Sequence, residues 1–191
     1  LWVVAGQRLL GEVGDSGAVY TSPDAITWTR RQLGSGLTVQ GMVWTGSQAV
    51  AVGEGGRVWT SPAGRTWTFH SSGVGQRLNA VAWTGAVLVA VGENAPGISV
   101  PHARILTSTD GVSWTQRASG FAGILNGVAW GRGQLVAGGW TPSGNTGMVT
   151  SPVATPRISY STGHAPTIGF AIADITPANT GSAATSWSIT P

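Results

Sequence analysis

The sequence predicts an all-β chain built from four-stranded antiparallel repeats of about 40 residues, and three observations predict it. The first is composition: 191 residues carry 30 Gly and 10 Pro but only 9% charged residues, a balance that suits short strands and tight turns and disfavours helix interiors. The second is that the ten tryptophans recur at fixed spacing. The third is that the intervening segments are short and rich in β-branched or aromatic residues. None is an amphipathic stretch of the length a helical repeat needs.

The repeat is defined by two tryptophans and a glycine. Trp44, Trp83 and Trp130 lie in GMVWTG, AVAWTG and GVAWGR, and Gly53, Gly92 and Gly139 each follow nine residues later, closing AVAVG, LVAVG and LVAGG. Trp28, Trp67 and Trp114 lie in TWTRR, TWTFH and SWTQR, each 16 residues before the next tryptophan of the first set. The period is 39 residues between the first two repeats and 47 between the next two. The surplus falls in NAPGISVPHA, a Pro/Gly-rich surface loop. A similar surplus lies between Gly6 and Ser22.

One complete unit shows the strands. Residues 79–85 (NAVAWTG), 87–92 (VLVAVG), 104–108 (RILTS) and 113–117 (SWTQR) are the four, with turns at 84–86 and 109–111. Four such strands per repeat are the pattern of a β-propeller blade. By this alignment the first unit lacks its first strand, and the fourth has strands at 126–131, 134–139 and 147–151. Open strand edges invite pairing, so more of the chain or another copy is expected to complete them.

The turn between the third and fourth strands resembles the Asp-box, or BNR repeat, of sialidase-type and related bacterial propellers. The fullest copy is Ser108-Thr109-Asp110-Gly111-Val112-Ser113-Trp114. Asp110 is suited to accept from backbone N–H groups, Gly111 to adopt positive φ, Ser108 to brace the loop and Trp114 to plug the space between sheets. Ser22-Pro23-Asp24-Ala25-Ile26-Thr27-Trp28 lacks the glycine, and Ser61-Pro62-Ala63-Gly64-Arg65-Thr66-Trp67 lacks the aspartate. A fourth copy starts at Thr150 and fails. The resemblance covers residues 1–152, implies consecutive propeller blades, and assigns the motif a structural role. Residues 153–191 form a linker and then resemble the first strands of a bacterial Ig-like domain, through Tyr160-Ser161, Gly169-Phe170-Ala171-Ile172 and Ser186-Trp187-Ser188-Ile189. Both ends look cut from a longer polypeptide.

Charge and chemistry narrow the function. All ten basic residues are arginine and the net charge is +3. They are scattered, with Arg30 and Arg31 the one adjacent pair, so the dense basic stripe of a nucleic-acid binder is missing. There is no cysteine and no apolar run of membrane-spanning length. Sialidase chemistry needs an arginine cluster, a tyrosine nucleophile and carboxylates. Of the two tyrosines, Tyr20 occupies the place of Trp59 and Leu106 and is expected in the core. Glu54 and Glu93 share one position after a strand and are expected to cap it. His70, His102 and His164 show no ligand spacing, and Asp15 and Asp110 sit in no dense acidic loop. No catalytic, cofactor or metal site is therefore expected.

The expected function is a non-catalytic structural and binding module of a secreted or surface-displayed bacterial protein, recognising a protein or glycan through blade loops. Loops 7–17 and 94–103 vary while the framework repeats, and Trp140, beside a Pro/Gly/Ser loop, is the candidate ligand contact. The competing expectation is a fragment of a sialidase-like glycosidase or of an assembly-factor propeller, such as the photosystem assembly propellers that share the Asp-box hairpin.

Overall fold

The structure, a computed structural model, describes residues 2–7, 17–31, 33, 38–93, 103–141, 144, 146–150 and 159–162. Loops 8–16 and 94–102, the end of the fourth turn and the Ig-like motifs at 169–172 and 186–189 lie outside them. Among the described residues the chain forms four antiparallel sheets, each a meander whose neighbours in sequence are neighbours in space. Sheet 1 has β1 (Trp2–Gln7), β2 (Gly17–Ser22) and β3 (Thr29–Arg31). Sheet 2 has β4 (Val39–Trp44), β5 (Ala49–Gly53), β6 (Arg57–Ser61) and β7 (Thr68–Ser71). Sheet 3 has β8 (Leu78–Trp83), β9 (Leu88–Gly92), β10 (Arg104–Ser108) and β11 (Thr115–Arg117). Sheet 4 has β12 (Ile124–Gly131), β13 (Gln134–Trp140), β14 (Thr146–Thr150) and β15 (Ser159–Thr162). The strand β15, which carries the Tyr160-Ser161 pair that the sequence assigns to the Ig-like segment, pairs with β14 and gives sheet 4 its fourth strand.

The registers repeat. Ser22, Ser61 and Ser108 stand opposite Trp2, Ala49 and Leu88, so β1 corresponds to β5 and β9. Its partner on the other side, the counterpart of β4 and β8, is not among the described strands. The pairs Thr21–Thr29, Thr60–Thr68 and Thr107–Thr115 likewise coincide. The first of each pair holds a side chain from the outermost strand. Arg31 Nε donates to Thr21 Oγ1 (2.9 Å) and Arg117 Nε to Thr107 Oγ1 (3.0 Å), while His70 Nε2 and Thr60 Oγ1 lie 2.9 Å apart. His70 is thus the counterpart of two arginines, a side chain bracing a threonine.

The sheets pack face to face in sequence order, which explains strands that are apolar without alternation. Ala51 and Trp59 join Val19, Leu33 and Val39 between sheets 1 and 2. Val50, Val52 and Val58 turn the other way and meet Leu78, Leu88, Ala90 and Leu106 of sheet 3. Val89, Val91 and Ile105 then meet Leu125, Leu135, Ala137 and Val149 of sheet 4. The strands β5 and β9 are consequently buried along their whole length.

Sheet 1 breaks this rule on its outward face. Tyr20 is 38% exposed, although Trp59 and Leu106 at the same position are fully buried. The expectation of a core Tyr20 fails because no described sheet lies on that side. Trp2 and Val4 are exposed for the same reason. Among the described residues nothing covers the outward face of sheet 4 either, and it shows Val136, Trp140 and Met148.

The repeated glycine closes the second strand of each unit against the first. A Cβ at Gly53, Gly92 or Gly139 would lie 2.1, 2.1 or 1.8 Å from the carbonyl oxygen of Thr38, Arg77 or Ile124. The strand β4 carries a bulge between Val39 and Gly41, β8 between Leu78 and Ala80, and β12 between Leu125 and Gly127. The extra residue each time is an amide: Gln40, Asn79 or Asn126.

Candidate functional site

The Ser/Asp turns come first, because they are the best-formed polar constellations. Asp24 Oδ1 accepts from Ser22 Oγ (2.8 Å) and from the N–H groups of Ile26 (2.9 Å) and Thr27 (2.8 Å). Asp110 Oδ1 accepts from Ser108 Oγ and from the N–H groups of Val112 and Ser113, each at 2.8 Å. Trp28, Trp67 and Trp114 donate Nε1–H to the carbonyls of Ala25, Gly64 and Gly111 (3.2, 3.2 and 3.1 Å). Those three acceptor residues all have positive φ (61°, 68° and 77°), which glycine adopts freely and Ala25 adopts against its Cβ. The indole therefore ties the turn shut as well as packing.

Packing of these indoles follows the neighbouring sheet. Trp67 lies against the core between sheets 1 and 2, and Trp114 against that between sheets 2 and 3. Trp28 is 39% exposed, since its turn has no described sheet to dock on. The turn at Gly111 shows the docking. Its carbonyl neighbour Asp110 O accepts from Gln48 Nε2 (2.8 Å), and a Cβ on Gly111 would sit 3.2 Å from Val50 and Thr60 of sheet 2.

The middle turn is incomplete. Ala63 stands where the other two have aspartate, and the buried Ser61 Oγ has no hydrogen-bond partner. Ala63→Asp is expected to supply that partner and to cap the N–H groups of Arg65 and Thr66. A gain of about 1 kcal/mol in chemical denaturation would be the sign of it.

The N–H groups of Thr27 and Ile26, with the Ser22 hydroxyl, hold the Asp24 carboxyl at about 2, below the usual carboxylate range. Burial pushes the Asp110 carboxyl up, but the Ser113 and Val112 N–H groups and the Ser108 hydroxyl outweigh it, and the net shift is downward. A carboxyl depressed in the folded state stabilises fully above its unfolded value and loses that contribution as pH falls through the folded one. Stability is therefore expected to drop between roughly pH 4 and pH 2. Denaturant midpoints of an Asp24→Asn, Asp110→Asn double variant should be flatter across that window than those of the parent.

Among the described residues the other titratable groups do not converge. Glu93 pairs with Arg77, and its N–H donates to Arg77 O (3.0 Å) as Glu54 N–H does to Thr38 O (3.2 Å). The shared position thus serves the backbone at a strand end. Among the described residues no three His, Asp, Glu or Cys side chains come close enough to hold a metal ion, and no helix is long and apolar enough to cross a membrane.

Two surfaces remain. Trp140 ends β13 and is 44% exposed. Met148 stands opposite Gly138, so Trp140, Val136 and Met148 share the outward face of sheet 4. The second surface, which sequence reasoning did not find, is a groove of about 350 Å³ between sheets 1 and 2, lined by residues 3–5 of β1, residues 40–44 of β4 and Ala49. Its one signal in the sequence is the amide recurring in VQGMVW, LNAVAW and LNGVAW, which marks the bulges. Comparison of the chain with protein-family models and with curated proteins gave no match.

Proposed function

We propose that the chain is a non-catalytic binding module: consecutive Asp-box propeller blades followed by the start of an Ig-like segment, within a larger secreted or surface-displayed bacterial protein. It carries no cofactor and engages a protein or glycan rather than nucleic acid. What supports this reading is the repetition of one scaffold, down to the Ser–Asp turn and the threonine brace, ending in a sheet whose open face presents Trp140. Repeated scaffolds of this kind hold recognition surfaces in place, and function is added to them residue by residue.

A glycan is the favoured ligand. The indole of Trp140, beside the flat Gly138 position and flanked by Val136 and Met148, offers a sugar face an apolar platform. A glycan array with the parent chain and Trp140→Ala tests it. Binding by the parent and its loss in the variant is the expected result; silence from both removes the glycan reading. Turnover of a sialoside or another glycoside would overturn the non-catalytic one.

A further inference from the structure

We infer that the turn between β6 and β7 is a binding site for the carboxylate of a small organic acid, one oxygen of which takes the place that Asp24 Oδ1 and Asp110 Oδ1 take in the other two turns. The inference rests on described residues within one sheet and does not depend on the propeller or glycan readings.

The three turns share one backbone. Their flanking strands pair in the same register, at Thr21–Thr29, Thr60–Thr68 and Thr107–Thr115. In each, an indole Nε1–H closes on the carbonyl of a positive-φ residue, which in the middle copy is Gly64 (φ 68°, 3.2 Å). In the first and third turns this backbone brings two N–H groups and a serine hydroxyl to one carboxylate oxygen, at 2.8–2.9 Å. The donors at the matching positions of the middle turn are the N–H groups of Arg65 and Thr66 and the hydroxyl of Ser61. Ala63 brings them no acceptor. Convergent N–H groups of this kind form an anion nest whatever supplies the oxygen. The turn is already shaped, so a ligand need not order it on binding.

Two further observations point to an anion. Ser61 is fully buried and its Oγ has no hydrogen-bond partner, whereas Ser22 and Ser108 donate to an aspartate. A buried hydroxyl is ordinarily satisfied. The second observation is charge. The residue two places after the aspartate is Ile26 in the first turn and Val112 in the third, and its counterpart in the middle turn is Arg65. The turn that lacks the carboxylate therefore carries a positive charge where the other two carry a negative one. The Asp24 carboxyl, held at about 2 by the Thr27 and Ile26 N–H groups and the Ser22 hydroxyl, shows that the arrangement prefers an ionised carboxyl to a neutral one. Ala63, Arg65 and Thr66 are exposed, so a small acid reaches the donors directly from solvent.

The test titrates the full chain with acetate at neutral pH and constant ionic strength, read by amide NMR. Expected are saturable shifts of the Arg65 and Thr66 amide signals with a Kd on the order of 10 mM. A melting temperature about 3 °C higher at roughly ten times that concentration should accompany them. Acetamide, the uncharged isostere, and chloride are expected to move neither. Ala63→Asp supplies the carboxylate from within and is expected to abolish the response. Arg65→Val should weaken binding about three- to fivefold. Ser61→Ala should weaken it about tenfold or more without lowering the melting temperature of the chain in the absence of acetate. No saturable shift, an equal response to acetamide or chloride, or an undiminished response in Ala63→Asp overturns the proposal. Equal affinity for inorganic phosphate overturns the carboxylate as the ligand class, and tighter binding of an end-blocked aspartyl tripeptide than of acetate overturns a small acid as its source. If Ala63→Asp folds poorly, the other two variants decide: binding as tight as the parent's in both also overturns it.

Discussion

Gly92→Ala is expected to lower stability by about 3 kcal/mol, near the top of the range for overpacked sites. The reason is not φ but room. A Cβ at Gly92 would sit 2.1 Å from Arg77 O and 2.9 Å from Leu78 Cα. Both are backbone atoms of the paired inner strand, so no side-chain rotation relieves the clash. The strand must shift at the bulge beside Asn79, and with it the Asn79 bond to Leu125 O that ties sheets 3 and 4. Gly139→Ala should behave alike, against Ile124 O. Gly138→Ala is the control: it lies next to Gly139 in the same strand, yet nothing stands within 4 Å of the added atom, and a change within about 0.5 kcal/mol is expected. Equal losses at Gly138 and Gly139 in urea titrations would refute the close-approach account.

The second large effect compares one repeat position in three sheets. Trp59→Ala is expected to cost about 3–5 kcal/mol and Leu106→Ala about 2–5 kcal/mol, the ranges for emptying a core site. Tyr20→Ala should cost less than about 1 kcal/mol. Trp59 packs between sheets 1 and 2 with Val19, Leu33 and Ala51, and its ring meets Phe69 edge-on at 6.1 Å. Leu106 fills the next interface. Tyr20 faces outward from sheet 1 and is partly in water already. Trp59→Phe should be milder than Trp59→Ala for two reasons: it keeps most of the volume, and it removes a buried Nε1–H that has no partner. Equal losses at all three positions, by calorimetry or denaturant, would mean that sheet 1 is covered in solution.

Much of the architecture was legible in the sequence because its causes are local. The 16-residue step from Trp28, Trp67 and Trp114 to the next tryptophan, and the nine-residue step to Gly53, Gly92 and Gly139, record hairpin lengths and the pairing they impose. Asp24 and Asp110 could be assigned to turns because the bonds they make are to N–H groups two and three residues on. That β1 matches β5 and β9 rather than β4 and β8 also shows in the alignment.

The surfaces were not legible, and the reason is that exposure belongs to neighbours. Trp28 and Trp114 sit in matching motifs, and Tyr20 and Trp59 in matching strands. The sequence by itself determined the all-β class, the strand order within each unit, the turn chemistry and the shared register. Only the tertiary structure decided which apolar side chains are core, because burial requires a second sheet and, among the described residues, sheets 1 and 4 each have one on a single side. It also decided that Gln40, Asn79 and Asn126 stand in bulges, and that β1 and β4 line a groove of about 350 Å³. A groove between two units is set by how far apart they pack, and no residue in either one encodes that distance alone.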